Sequence, residues 1–378
     1  MGQNIHWNEA GSEMTAAWRS ESGMHPSRRV VVADDSMTAD AAYRLACEGT
    51  ALLWRGDFQN ARQLLNAMAR RADRKPTKTA PMPEGFHLYR QAKSQRSRTL
   101  AMLLIPFDSG HAIPLRRAPD VLAACTEAYG DASFPYVASL RELLGIIGAH
   151  EWRRKGVLVP ELATHIHPHY GVFSPVRGEY LELVAKAPLP EALKSHPVAF
   201  DIGTGTGVLA ALLAKRGIAH IIATDQDERA LTCARENISR MNFQESIEVA
   251  RADLFPGGRA SLIVCNPPWV PARPSSKLEH AVYDPESRML KGFLEGLSSH
   301  LNENGEGWLI LSDLAEHLVL RKRSELLEMI ENAGLVVLGR LDAKPRHPKT
   351  EDARDVLYAA RRLEVTSLWR LGLKDRPR

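Results

Sequence analysis

A glycine at every second position, in Asp201-Ile-Gly203-Thr-Gly205-Thr-Gly207, separates the apolar stretch Val198–Ile202 from a helix-forming stretch that opens on Val208-Leu209-Ala210. Glycine lacks a Cβ, so such a run adopts left-handed backbone at little steric cost and lets the main chain approach a ligand closely. The arrangement predicts a buried strand, a tight turn and a helix. The pattern then continues. Strand-like runs at Ala219–Thr224, Ile247–Ala250, Ser261–Cys265, Gly307–Leu311, Leu335–Arg340 and Val356–Ala360 alternate with helical stretches at Gly207–Lys215, Asp227–Met241, Ser287–Leu301 and Ala315–Asn332. Such alternation predicts an α/β fold with a doubly wound, mainly parallel seven-stranded sheet. No internal repeat is visible.

That pattern uses about half of the 378 residues, which leaves room for a second domain. Hydrophobic residues at 44% and charged residues at 25% exclude a wholly disordered chain and a collagen-like repeat. Four cysteines (Cys47, Cys125, Cys233 and Cys265) form no C-x-x-C pair, so neither a zinc knuckle nor a disulfide framework is expected. The first residues lack the basic and apolar regions of a secretory signal, and Leu100 to Pro106 is far shorter than the ~20 residues that span a bilayer. A soluble, cytoplasmic protein is the expectation.

Residues 1–36 are polar and aperiodic and are expected to be a flexible tail. Residues 37–155 are expected to be an α-rich N-terminal domain and a candidate for substrate docking. Its helices include one from Thr38 to Trp54 and one capped by Asp57, whose buried face would hold Phe58, Ala61, Leu64, Leu65 and Met68. Thr99 to Ile105 reads as a buried strand or short helix, and helical patterns return at Pro119–Tyr129 and Tyr136–Gly148. Residues 156–178 are expected to be a linking hairpin and residues 179–378 the strand–helix domain. Between Arg70 and Arg98, nine basic residues face only Asp73 and Glu84. Such a segment can contact phosphates, or it can be a solvated helix face and linker.

The chemistry-bearing residues fall at successive predicted strand ends. Asp225 follows the second strand, where a carboxylate can accept both hydroxyls of a ribose. Asp253 and Leu254 follow the third, and an acid there can receive an adenine amino group. The fourth runs straight into Asn266-Pro267-Pro268-Trp269. Two prolines fix two φ angles and remove two donors, giving a rigid turn whose outward carbonyls lie beside an amide and an indole. That suits a planar NH2 group: the Asn266 oxygen and the Pro267 carbonyl each accept one N–H, while Trp269 stacks on its face. The dinucleotide fingerprint G-x-G-x-x-G is broken by Val208, which argues against a nicotinamide-dependent oxidoreductase.

Together these residues resemble the class I S-adenosylmethionine-dependent methyltransferases that act on planar nitrogens, over about residues 165–362. The resemblance implies that S-adenosyl-L-methionine is the cofactor. Asp201, Gly203, Gly205 and Gly207 would line its methionine part, Asp225 would hold its ribose, and Asp253 with Leu254 would flank its adenine, Asn266 adjoining. Asn266, Pro267, Pro268 and Trp269 would hold the acceptor. Positioning with oriented dipoles then supplies the catalysis, with no general base required.

Two macromolecular acceptors remain open: a glutamine side-chain amide in a protein such as a release factor, and an amino group of adenine or guanine in RNA. Tyr170 to Glu179 is similar to the segment that precedes the cofactor loop in release-factor glutamine methyltransferases, and Glu279 to Glu286 to their loop after the tetrapeptide. A small helical N-terminal domain belongs to the same resemblance. The sequence departs from that family in having Trp269 for the usual Tyr, Gly178 for a common Thr, and a longer N-terminal part. Tryptophan at that place also occurs in nucleic-acid adenine methyltransferases, and the basic segment suits RNA. A small-molecule acceptor and a non-catalytic binding module are the remaining alternatives, and the intact tetrapeptide counts against the second. His165, His167 and His169 alternate as metal ligands could, but no nearby Cys completes a site and Pro168 interrupts the strand, so no metal is expected.

Overall fold

The computed structural model describes residues 3–74, 80–175, 178–274, 279, 282–345 and 355–374. They divide into two compact units, Met1–Glu151 and Trp152–Arg378.

The first unit is built on a six-stranded sheet. Its strands are β1 (Asn4–Glu9), β2 (Ser12–Trp18), β3 (Arg29–Ala33), β4 (Thr50–Trp54), β5 (Leu103–Phe107) and β6 (Tyr136–Ser139), in the order β1-β2-β6-β5-β4-β3. Helices α1 (Ala39–Cys47), α2 (Phe58–Ala72), α3 (Glu84–Ala101), α4 (Leu122–Tyr129) and α5 (Leu140–Lys155) accompany it. Strands β3, β4 and β5 run parallel, whereas β6 opposes β5. Ile5, Trp7, Ala51, Leu53, Leu104 and Val137, spaced two apart along each strand, pack on one face.

Three expectations are corrected here. Residues 1–36 contain β1, β2 and β3 rather than a flexible tail; in β1 only Ile5 and Trp7 turn inward while Asn4, His6 and Asn8 face solvent. The unit is therefore α/β, not α-rich, and it is not the small helical domain implied by the glutamine methyltransferase resemblance. The helix expected from Thr38 to Trp54 stops at Cys47, Gly49 turns the chain at φ +79°, and Leu52 and Leu53 lie in the fully buried β4. By contrast, Asp57 does cap α2, accepting from Gln59 N at 2.8 Å.

The second unit begins with the antiparallel pair β7 (Val157–Val159) and β8 (Thr164–Ile166), within the expected hairpin, followed by α6 (Glu179–Lys186). Its sheet comprises β9 (Val198–Ile202), β10 (His220–Asp225), β11 (Ile247–Arg251), β12 (Ala260–Cys265), β13 (Leu301–Ser312), β14 (Leu335–Ala343) and β15 (Thr366–Leu373), ordered β11-β10-β9-β12-β13-β15-β14. All neighbours are parallel except that β15 opposes both β13 and β14. Helices α7 (Val208–Lys215), α8 (Glu228–Arg240), α9 (Arg288–His300), α10 (Leu314–His317), α11 (Arg323–Asn332) and α12 (Tyr358–Leu363) connect the strands. One apolar cluster, with Leu209, Ala211 and Trp308, covers one face of the sheet; another, with Phe200, Phe293 and Leu326, covers the other. The strand expected at Val356–Ala360 is instead the approach to α12 and its first residues, and the seventh strand is β15. Trp369, on β15, is a packed core residue at 6% exposure.

Strand order reverses between β9 and β12, the point at which doubly wound sheets open a crevice at their carboxyl ends. The predicted site residues all lie at or just past the carboxyl ends of β9, β10, β11 and β12.

Candidate cofactor and acceptor site

At the end of β9, Asp201 is fully buried. One carboxylate oxygen accepts from Thr204 Oγ1 at 2.6 Å and from Ala210 N at 3.1 Å. Helix α7 starts after Gly207, which has no side chain to cap it, so Asp201 supplies the missing N-terminal acceptor from the neighbouring strand. Its other oxygen is buried without a hydrogen-bond partner. Burial pushes this carboxyl up to about 6, against the opposing pull of its two donors.

The three loop glycines have positive φ of +71°, +55° and +80°. A Cβ on Gly203 would stand 2.5 Å from Met289 Cε, and one on Gly207 would press at 3.3 Å on Ala234 and Ile238 of α8. A Cβ on Gly205 would meet nothing within 4 Å, so that glycine faces open space. Asn237 of α8 ties the loop from behind: its Nδ2 donates to the Thr206 carbonyl at 3.1 Å and its Oδ1 accepts from His167 N at 2.8 Å.

Asp225 ends β10 beside this loop. Its two oxygens accept from Gly205 N at 3.1 Å and Asp227 N at 3.0 Å, and burial raises its pKa despite those donors. Past β11, Asp253 is exposed and pairs with Arg288 at 3.0 Å. Leu254 is held at φ +77°, uncommon for a leucine, while its carbonyl accepts from Thr224 Oγ1 at 2.6 Å.

Past β12, Pro267 is buried and Asn266, Pro268 and Trp269 are half-buried. The Trp269 indole Nε1–H donates to Asn266 Oδ1 at 2.9 Å, and the ring packs against both apolar clusters of the unit. Val270 then exchanges backbone hydrogen bonds with Val282 and Asp284, which brings the chain back to the site after the tetrapeptide.

Sequence reasoning missed the start of α9, whose first residues touch three of the expected cofactor residues: Met289 at Gly203, Arg288 at Asp253, and Gly292 against Leu254. The buried Asp284 carboxylate sets this turn by accepting from Met289 N and Leu290 N at 3.0–3.1 Å, across two left-handed residues, Glu286 and Ser287. An acid shortly before a predicted helix start was the available signal. The three histidines do not converge. His165 is exposed, His167 Nδ1 contacts the Arg153 carbonyl at 2.6 Å, and His169 pairs with Glu236 at 3.0 Å. Among the described residues no group of three His, Cys, Asp or Glu could hold a metal ion.

Residues 164–337 match the methyltransferase small domain family. With the sheet order and the glycine loop, this makes the second unit a class I S-adenosylmethionine-dependent methyltransferase domain. Among curated relatives, a ribosomal protein L11 methyltransferase of Caldanaerobacter subterraneus is 35% identical over 80 residues, 21% of this chain and 26% of that protein. A release factor glutamine methyltransferase of Cereibacter sphaeroides is 37% identical over 124 residues, 32% of this chain and 41% of that protein. A tRNA1(Val) (adenine(37)-N6)-methyltransferase of a Shewanella strain is 26% identical over 227 residues, 53% of this chain and 93% of that protein. The chain spans less than half the length of the first two.

S-adenosylmethionine is the cofactor of this class, and the residues fit it. The buried Asp201 oxygen without a partner and the carboxylates of Asp225 and Asp253 are acceptors suited to a cationic nucleoside with free hydroxyl and amino groups, and the open face of Gly205 leaves room for its close approach.

The raised Asp201 pKa makes a prediction for the ligand-free protein. The charged form is disfavoured on folding, so its stabilising protonated state is fully present below about pH 4 and is lost as pH rises through about 6. A rise of about two units corresponds to roughly 3 kcal/mol. Melting temperatures measured from pH 4 to 7 should fall in the wild type relative to Asp201→Asn. Parallel curves would show an ordinary carboxyl.

Proposed function

We propose that the chain is an S-adenosylmethionine-dependent N-methyltransferase whose acceptor is a planar NH2 group. The observation that carries this reading is the rigid Asn266-Pro267-Pro268 turn at the carboxyl end of β12, beside the glycine loop. The bound cofactor supplies an electrophilic methyl group. The protein's part is to hold a weak nucleophile: Asn266 Oδ1 and the Pro267 carbonyl each accept one N–H of the acceptor, drawing its nitrogen out of conjugation so that the lone pair is exposed. Asp201 and the three glycines line the methionine part, Asp225 holds the ribose, and Asp253 and Leu254 flank the adenine.

The leading acceptor is the side-chain amide of a glutamine in a protein. It is supported by the Tyr170–Glu179 segment and by the likeness to the release factor methyltransferase, and it rests on the second unit alone. The second reading is an exocyclic amino group in RNA. In its favour, Arg70 and Arg74 at the end of α2 and Lys93 and Arg98 on α3 are exposed, while Arg71 and Arg96 are paired with Asp40 and Asp73. Lys75 and Lys78 lie outside the described residues. Exposed cations of this kind contact phosphate backbones without reading sequence.

Tritium transfer from labelled S-adenosylmethionine into an extract lacking this protein separates the two. Label lost to protease and recovered as methylglutamine supports the protein acceptor; label lost to ribonuclease supports RNA. Under the RNA reading, changing Arg70, Arg74, Lys93 and Arg98 to Glu should lower transfer at least tenfold, with an effect that grows with salt-free conditions. No incorporation into any fraction would end the proposal.

A further inference from the structure

We infer that Trp269 is a positioning residue for acceptor binding, acting through its hydrogen bond to Asn266; this deepens the proposed function and rests on it. The two ends of an Asn amide are opposite in chemistry, since the oxygen accepts and the NH2 donates, and rotation about the terminal torsion is broad and roughly two-fold. An acceptor NH2 group needs the oxygen. A freely turning Asn266 would present its own NH2 for part of the time and repel the group it should hold.

An indole N–H is donor-only, so Trp269 Nε1 at 2.9 Å tolerates the oxygen and not the NH2. The bond uses one of the two lone pairs on Oδ1 and leaves the other for the acceptor. The indole is itself fixed, because its ring packs against the apolar clusters on both faces of the sheet. Anchoring of this kind commits the N–H edge of the ring to orienting the amide. A tyrosine carries its only donor at the far tip of the ring, and a phenylalanine carries none.

Trp269→Phe separates this role from stacking, because it keeps an aromatic face and loses the N–H. The expected result is a fall in kcat of roughly tenfold, the scale of one lost hydrogen bond that leaves a partner unanchored, with S-adenosylhomocysteine affinity unchanged. A kcat within twofold of wild type would overturn the inference. A second readout needs no turnover. In a spectrum of the 15N-labelled indoles, the resonance missing from Trp269→Phe should exchange slowly with solvent, and in Asn266→Ala it should move and exchange faster. An indole resonance that ignores Asn266→Ala overturns the pairing even in a protein that transfers no methyl group, an outcome that would otherwise remove only the proposed function.

Discussion

Asn266→Ala should abolish measurable methyl transfer while leaving cofactor affinity near that of the wild type. The proposed reaction places no general base, so almost all of the protein's contribution is a pair of fixed acceptors aimed at the nitrogen that must leave conjugation. Removing one preorganised dipole of this kind typically costs about 10²–10³ in kcat. Here the change also removes the Asn266 acceptor of the Trp269 indole N–H. The structure assigns Asn266 little part in the scaffold: it is half-buried and follows a strand whose own ladder ends at Cys265. Calorimetric titration with S-adenosylhomocysteine, run beside a transfer assay, tests both halves. Loss of binding along with transfer would make Asn266 a structural residue and would remove its acceptor role.

Asp225→Ala should act in the opposite sense, on the cofactor rather than the acceptor. A carboxylate that receives two hydroxyl hydrogen bonds supplies about 1.5–3 kcal/mol for each, so affinity should fall by about a hundredfold or more. The unliganded protein should change little in melting temperature. The variant leaves Gly205 N and Asp227 N without their acceptor, but it also removes a carboxyl that burial disfavours in its charged form. Asp225→Asn, which keeps one acceptor oxygen, should lie between the two. An unchanged affinity for S-adenosylhomocysteine in the Ala variant would exclude the ribose role.

Both predictions depend on residues that could be read from the sequence, and the reason is local. Strands β9 and β12 are short, almost wholly apolar and buried on both faces, and each is punctuated at once by glycine or proline. Asp201 and Asn266 therefore announce themselves as strand ends without knowledge of the tertiary fold, and Asp225 and Asp253 follow from the strand–helix alternation between them. The first unit was opaque for the converse reason. β2 is exposed or half-exposed along its whole length, and β4 follows a helix after only two residues, so its buried leucines mimic the spacing of that helix. Within the site, the hydrogen bond of Trp269 to Asn266 joins residues three apart, yet its direction depends on the indole being fixed by two core clusters. The seat of Met289 over Gly203 joins residues far apart in the chain and leaves no local pattern at all.

The position of β15 has a consequence for how the chain acquires its fold. This strand is among the last described residues, yet it lies inside the sheet, and among the described residues β14 pairs with β15 alone. Every strand that carries a site residue is synthesised and able to pair well before Thr366 exists. Until then, β13 offers an open edge with Trp308, Leu309 and Ile310 on it, and β14 waits unpaired. Closure is thus a late event of high sequence separation, slow by the entropy of bringing distant segments together. A chain interrupted just before β15 would hold its cofactor residues in nearly finished form while exposing a template for association with other chains.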